Sequence, residues 1–374
     1  MSNTQIVPMP ESHVRLGVAL ETPTDSSTYG TFTDPAGTVT GGIYRCIEPK
    51  WGDKNERVNY NESFDSRLTE QSHTFRKHKT LNVKHYFYVP RSANEVTALL
   101  SYYKALFLPA HLAVATASSD HIFTLDPDFV DTAATPDCLK RHGASIVFQE
   151  FKEARAMIGA RNNFKLAFAT NKGLIIECDW MGMAYGDGLP YDCSAALFTK
   201  PAHAGGILDF ASATFFICTA AEAATTIPTT TYYPICKQFD FDLGNKPVLL
   251  DDCNGANGIS GVHIGNILDG QKVTFDVARP LTHGSAIGVT AFPWLKHYLD
   301  GELMYWQITL CGVGTYATGA GVRLSGVFQI EDEPDPSAAD GMRRIKLAGT
   351  SKSATIAAAT LEGIKIELFN NIQA

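Results

Sequence analysis

From Thr80 to Val89 the chain alternates, with Leu81, Val83, His85, Phe87 and Val89 on one side and Thr80, Asn82, Lys84, Tyr86 and Tyr88 on the other. A period of two predicts a half-buried strand. Pro90 has no N–H to give to a ladder and ends it. The period then changes: Val96, Leu99, Leu100, Tyr103 and Phe107 recur at helical spacing and form one apolar stripe that must pack on a sheet. Ser92 and Glu95 stand as a capping box before that stripe, the serine accepting from an early backbone N–H and the glutamate reaching back. Pro109 marks the helix end.

Between His111 and Arg155, about 45 residues, the pattern reads as loop-rich, which implies either a functional excursion or elements that periodicity does not resolve. A hairpin follows. Phe164, Leu166 and Phe168 alternate with Lys165 and Ala167, Asn171-Lys172-Gly173 makes the turn, and Leu174, Ile176, Cys178 and Trp180 return. Residues 194–231 are rich in Ala and Thr and end in a Thr-Pro-Thr run, which predicts an extended linker or arm. Phe239 and Phe241 then alternate with Asp240 and Asp242 before a Gly244-Asn245 turn.

The order of elements now repeats. Val273, Phe275 and Val277 alternate and stop at Arg279-Pro280, with Pro280 standing 190 positions after Pro90. A short helical segment with Trp294, Leu295, Tyr298 and Leu299, stopped at Gly301, follows this strand as the capped helix follows the first one. Strands are predicted at Trp306 to Cys311, Val322 to Ile330 and Ile364 to Phe369. The pattern is mainly β, with two units that each run strand, helix, strands.

The 374 residues, 45% of them hydrophobic, suffice for one or two packed cores. With 31 basic and 39 acidic residues the net charge is −8, and no chain-wide basic footprint for nucleic acid exists. The most apolar stretch, Ile207 to Ala224, is interrupted by Asp209 and Glu222 and falls short of the roughly 20 apolar residues of a membrane helix. The polar start, Met1 to Glu11, lacks the pattern of a secretory signal, so folding in a cytoplasm is expected. Eight cysteines contain no C-x-x-C pair and read as reduced, mostly buried thiols.

Chemistry-bearing motifs are sparse. Gly312 to Gly319 lacks both the third-glycine spacing of a dinucleotide fold and the Gly-Lys-Ser/Thr of a P-loop, and reads as a flexible β-turn region. Asp251 to Gly258 offers oxygen ligands, but no glutamate closes it as an EF-hand requires. Asp126 and Asp128 flank Pro127 as ordinary turn acids do. None of the 11 histidines sits in H-E-x-x-H, and no serine occupies a G-x-S-x-G elbow. No catalytic, cofactor-binding or metal-ligating residue is therefore assigned. The basic cluster of His73, Arg76, Lys77, His78, Lys79, Lys84 and His85 has three readings: DNA phosphates, a solvated loop, or an acidic face such as Glu331-Asp332-Glu333 on a neighbouring subunit.

Several stretches resemble the major tail tube proteins of long-tailed, siphovirus-like bacteriophages. Leu16 to Thr22 followed by Thr28-Tyr29-Gly30-Thr31 is similar to that family's Glu-Thr and Tyr-Gly-Thr opening, here with an insertion between the halves. Tyr44 to Tyr60, with Cys46, Pro49, Glu56-Arg57 and Tyr60, resembles its first strand and following loop. Gly159 to Leu166 with Gly182 resembles its Gly-Ala-Arg-Gly-x-Phe hairpin, an asparagine standing where glycine is usual. Phe239 to Asn245 resembles its Phe-x-x-Asp-x-Gly-Asn strand.

The resemblance implies a β-sandwich or half-barrel with a flanking helix in each of two tandem tail-tube-like domains. The implied division is an N-terminal arm at 1–40, a first domain at 41–193, a linker or arm at 194–231 and a second domain at 232–374. It implies a non-enzymatic virion tail subunit, assembled in the host cytoplasm into stacked rings around a lumen for DNA. Two units per chain imply trimeric rings of pseudo-six-fold symmetry, with hexameric rings as the alternative. Implied partners are further copies, a tape measure protein in the lumen, and tail terminator and baseplate proteins; DNA passes without sequence-specific binding. Loops such as Gly52 to Thr74 would reach the next ring. Competing readings are a related baseplate, terminator or secretion-tube component, a phage hydrolase, and a carbohydrate-binding module using Trp180, Trp294 and Trp306.

Overall fold

The computed structural model describes residues 14–21, 30–35, 41–44, 46–60, 71–117, 120–125, 142–150, 153–169, 172–185, 206–208, 212–225, 236–251, 259–264, 271–278, 294–339, 342–356 and 358–371. In the first part of the chain the strands are β1 (Val14–Glu21), β2 (Gly41–Tyr44), β3 (Ile47–Tyr60) and β4 (Gln71–Tyr86), followed by helix α1 (Ala93–Phe107). Then come β5 (Leu112–Ala117), β6 (Asp120–Leu125), β7 (Gly143–Glu150), β8 (Glu153–Ala169) and β9 (Ile175–Tyr185). The second part holds β10 (Ala213–Thr219), α2 (Ala220–Thr225), β11 (Cys236–Asp242), β12 (Pro247–Asp251), β13 (Ile259–Ile264) and β14 (Lys272–Ala278). After α3 (Trp294–Leu299) follow β15 (Leu303–Val313), β16 (Ala320–Ile330), β17 (Asp335–Ala339), β18 (Met342–Lys352), β19 (Ala354–Ile356), β20 (Ala359–Leu361) and β21 (Lys365–Asn370).

The fold is mostly β, and 17 of these strands form one hydrogen-bonded network. Its pairings resolve into two antiparallel runs, which are hydrogen-bonded to each other where Val327–Ile330 of β16 pairs with Gly349–Lys352 of β18. One reads β3-β4-β9-β8-β11-β14-β18-β17, and β7, β1 and β2 continue from the N-terminal part of β8. The other reads β10-β15-β16-β21-β6-β5. The two runs pack face to face through rings. Trp306 of β15 lies 4.9 Å from Phe239 and 5.7 Å from Phe275, and Phe328 of β16 lies 5.4 Å from Phe275. Such pairs add about 0.5–1.5 kcal/mol each beyond the area they bury.

The predicted alternation at Leu81, Val83, His85, Phe87 and Val89 is the buried face of β4 and its continuation. Helix α1 begins where its cap predicts: Ser92 Oγ accepts from the Glu95 N–H at 3.4 Å. Glu95 does not reach back to the cap residue itself. Its carboxylate accepts instead from the Arg91 N–H at 2.6 Å, one residue further out. The apolar stripe of α1 packs between the two runs, Phe107 standing 5.0 Å from Phe164 of β8 and 5.5 Å from Phe123 of β6.

The structure places strands in four stretches where the sequence pattern showed none. The stretch from His111 to Arg155 is not loop-rich throughout, since it carries β5, β6, β7 and the start of β8. Gly52 to Thr74 is not a plain loop either: its described residues are strand, joined in a long β3–β4 hairpin whose register runs to Tyr60 opposite Gln71. The arm at 1–40 contains β1, whose Leu16 and Val18 are fully buried. The linker at 194–231 contains β10, paired with β15 along all its residues from Ala213 to Thr219. Both misread strands are buried on both faces, so neither shows the alternation that marks a half-exposed strand.

The sheet is continuous across the expected boundary between domains. β11 pairs β8 from Gln238↔Ala169 to Asp242↔Lys165, and β21 pairs β6 from Lys365↔Thr124 to Leu368↔His121. The two parts still share a local order. In each, the strand before a helix (β4, β14) lies between an earlier strand (β3, β11) and a later one (β9, β18), and the helix leads into an antiparallel hairpin (β5–β6, β15–β16).

Candidate assembly surfaces

The eight-stranded run has two unlike faces. Leu81, Cys178, Phe164, Leu166, Phe239, Phe241, Val273, Phe275 and Leu347 bury one of them in the core. Side chains of opposite parity form the other. Along one row of that face the register sets Lys84 opposite Glu177, Glu177 opposite Lys165, Lys165 opposite Asp242 and Asp242 opposite Lys272. Charge therefore alternates across five consecutive strands, and the row crosses from the first part of the chain to the second without a break. Lys165 Nζ lies 3.3 Å from Asp242, which raises the lysine pKa, and Lys84 Nζ lies 2.9 Å from Glu48 on β3. Opposed charges across strands stabilise by roughly 0.2–1 kcal/mol per pair, so the row fixes register more than it adds stability.

Residues singled out by the resemblance meet at two buried junctions. At the first, Glu21 at the end of β1 accepts from Ser145 Oγ at 2.6 Å and from the Gly159 N–H at 3.0 Å. Burial raises its pKa, while Ser145, Gly159, Arg161 and the Gly30 backbone oppose the shift. Gly159 has φ +58°, a left-handed backbone that a side chain would strain, and it sits where β8 changes register against β9.

The second junction joins β8 to β11 under the end of α1. Asn162 Nδ2 donates to the Leu106 carbonyl at 3.0 Å, and Asn245 Nδ2 donates to the carbonyls of Ala110 at 2.9 Å and Asn162 at 3.1 Å. The Asn245 N–H donates to Asn163 Oδ1 at 3.0 Å, and Asp242 Oδ1 accepts from Asn163 Nδ2 and from the Gly244 N–H, both at 2.9 Å. Gly244, at φ +73°, lets the chain turn back into this network. Asn162, Asn163 and Asn245 thus carry the polar seam between the two parts.

No protein-family model matches the chain, and neither does any curated protein.

The basic cluster is divided by the fold. Lys79 is buried, 3.5 Å from Asp53 and 5.8 Å from the Trp51 ring centroid, while Asp53 also pairs with Arg155 at 3.2 Å. His85 is fully buried, and Lys84 belongs to the charge row. Lys77 stays part-exposed on the hairpin, and the side chains of His73 and Arg76 lie outside the described residues. Glu331, Asp332 and Glu333 form an exposed turn between β16 and β17.

The Gly312–Gly319 stretch turns between β15 and β16, and side chains bind it to the last strand and the residue after it. Tyr316 donates to Glu367 at 3.1 Å beneath the Arg323 guanidinium, 4.1 Å from its ring, and burial pushes its hydroxyl up to about 12. Asn371 Nδ2 donates to the Tyr316 carbonyl at 2.7 Å.

Asp126, Asp128 and Asp252 to Gly258 lie outside the described residues. Among the described residues, no group of three or more His, Cys, Asp or Glu side chains is placed to hold a metal. No described helix is long and apolar enough to cross a membrane. Cys178, Cys218 and Cys236 are buried thiols, and burial raises Cys218 to about 12 and half-buried Cys46 to about 11. Trp180, Trp294 and Trp306 are buried as well, so none presents an open indole face to a sugar.

The charge row, the open strands and the Glu21 junction were missed in the sequence. Signals for the row existed, because Lys84, Lys165, Asp242 and Lys272 are polar members of alternating runs, but only strand pairing brings them side by side.

Proposed function

We propose that this chain is a structural subunit of a bacteriophage tail tube, assembling into stacked rings that enclose a lumen for DNA passage. One observation carries the reading. An eight-stranded antiparallel run buries one face of its six inner strands and bears a cross-strand charge row on the other, yet among the described strands β3 pairs only with β4, and β17 only with β18, whose remaining residues Gly349–Lys352 pair with β16. An open sheet of this length is a liability for a monomer and a building unit for a closed assembly, since closure satisfies edges that otherwise recruit other chains.

The shared strand order of the two parts supports a pseudo-repeat, and with it three chains per ring in place of six. The part of the β3–β4 hairpin beyond β9, where Gln71–Lys77 pairs only with β3, spans about 24 Å at strand rise and suits contact with a neighbouring ring. A two-stranded ribbon of that kind is marginal by itself and gains stability from a partner surface. The outward row alternates in sign from strand to strand, so it offers DNA no continuous basic track. In this reading the chain resides in the virion tail, with a tape measure protein in the lumen during assembly and terminator and baseplate proteins at the tube ends.

Negative-stain electron microscopy of the purified chain tests the reading. Tubes of stacked rings are expected. Isolated capped rings would move the chain to a terminator, baseplate or secretion-tube role, and featureless single particles at every concentration would overturn the tube reading.

A further inference from the structure

Resting on the ring reading, we infer that the β3–β4 hairpin of one copy docks on the acidic turn Glu331-Asp332-Glu333 of the next, which makes the contact heterologous and directional. The hairpin forms one end of the eight-stranded run, and the turn leads into β17 at the other end, with β9, β8, β11, β14 and β18 between them. Lys50 and Lys54 are exposed on β3 and Lys77 is part-exposed on β4. Glu48 pairs with Lys84 and feels Lys50 only as the smallest of its influences, and among the described residues none of the three lysines has a carboxylate within ion-pair distance. At the far end Glu331, Asp332 and Glu333 are all exposed, and their carboxylates likewise form no ion pair among the described residues.

Among the described residues, opposite charges thus stand outside any ion pair at opposite ends of one run. A second copy is the partner whose surface supplies the complement to both ends at once. Contacts of this head-to-tail kind close into rings when the rotation permits and extend as filaments when it does not. The side chains carry this contact rather than a continued ladder. β17 contains Pro336, which has no N–H, and proline on an outermost strand blunts that edge against pairing. Charge complementarity of this type sets orientation and association rate more than affinity, which fits a subunit that must join in one polarity.

Zero-length carbodiimide cross-linking of an equimolar mixture of unlabelled and nitrogen-15-labelled full-length protein tests the inference. Expected are cross-links from Lys50, Lys54 or Lys77 to Glu331, Asp332 or Glu333 in mixed-isotope pairs, whether the particles are rings or open chains. The triple variant E331K/D332K/E333K should lose assembly by at least tenfold in the concentration required. A K50E/K54E/K77E partner mixed with it should restore alternating assembly, which a merely misfolded variant would not allow. Assembled rings without those cross-links, or a triple variant that assembles as the wild type does, would overturn the inference and leave the tube reading standing. Wild-type monomers without cross-links would overturn both.

Discussion

Two side chains show how single residues hold this fold. Glu21 is a buried carboxyl whose pKa is raised by desolvation against the pull of Ser145, Gly159 and Arg161. A folded-state value above the unfolded one stabilises below the unfolded pKa of about 4.5, and that contribution is lost as pH rises through the folded value. The stability of the wild type relative to Glu21→Gln should therefore decline between acid and neutral pH, as read by denaturant melts across that range; a rising difference would contradict the assignment. Asn245 donates through one amide to two buried carbonyls on different elements. Asn245→Ala strands both and should cost about 1–3 kcal/mol in the same melts, whereas a loss below about 0.5 kcal/mol would mean that the carbonyls find other donors.

Among the elements, α1 is held at its start by a single side-chain cap at 3.4 Å. Ser92→Ala should lower stability by about 1 kcal/mol in urea unfolding, with no change in assembled form. The strand at Thr80–Val89, this helix, the Phe164–Trp180 hairpin and the strand at Phe239–Asp242 were all legible, because each is half-buried and shows its period. What escaped reading had physical reasons. β10 packs Phe215 and Ile217 toward the core while Phe216 and Cys218 are buried on its other side, so its four central residues look like a uniform apolar run. β5 is built largely of alanines, whose small side chains leave weak periodicity. β8 runs 17 residues through a register shift near Gly159, which breaks its alternation into two phases. The polar seam at Asn162, Asn163 and Asn245 was visible only as motif residues, since its partners are backbone carbonyls distant in sequence.

For the whole molecule, the two parts are knit by β8–β11 and β6–β21, so any tandem origin has been absorbed into one sheet system. This continuity carries the charge row across the seam and leaves β3 and β17 at the ends. On the proposed reading, a chain so arranged would meet its own copies head to tail, and two such parts per chain would give three chains to a closed ring. Mass photometry of the wild-type protein over a concentration series measures this most directly. The account predicts a discrete species of three chains and its stacked multiples growing at the expense of monomer; monomer alone across the whole series would contradict it.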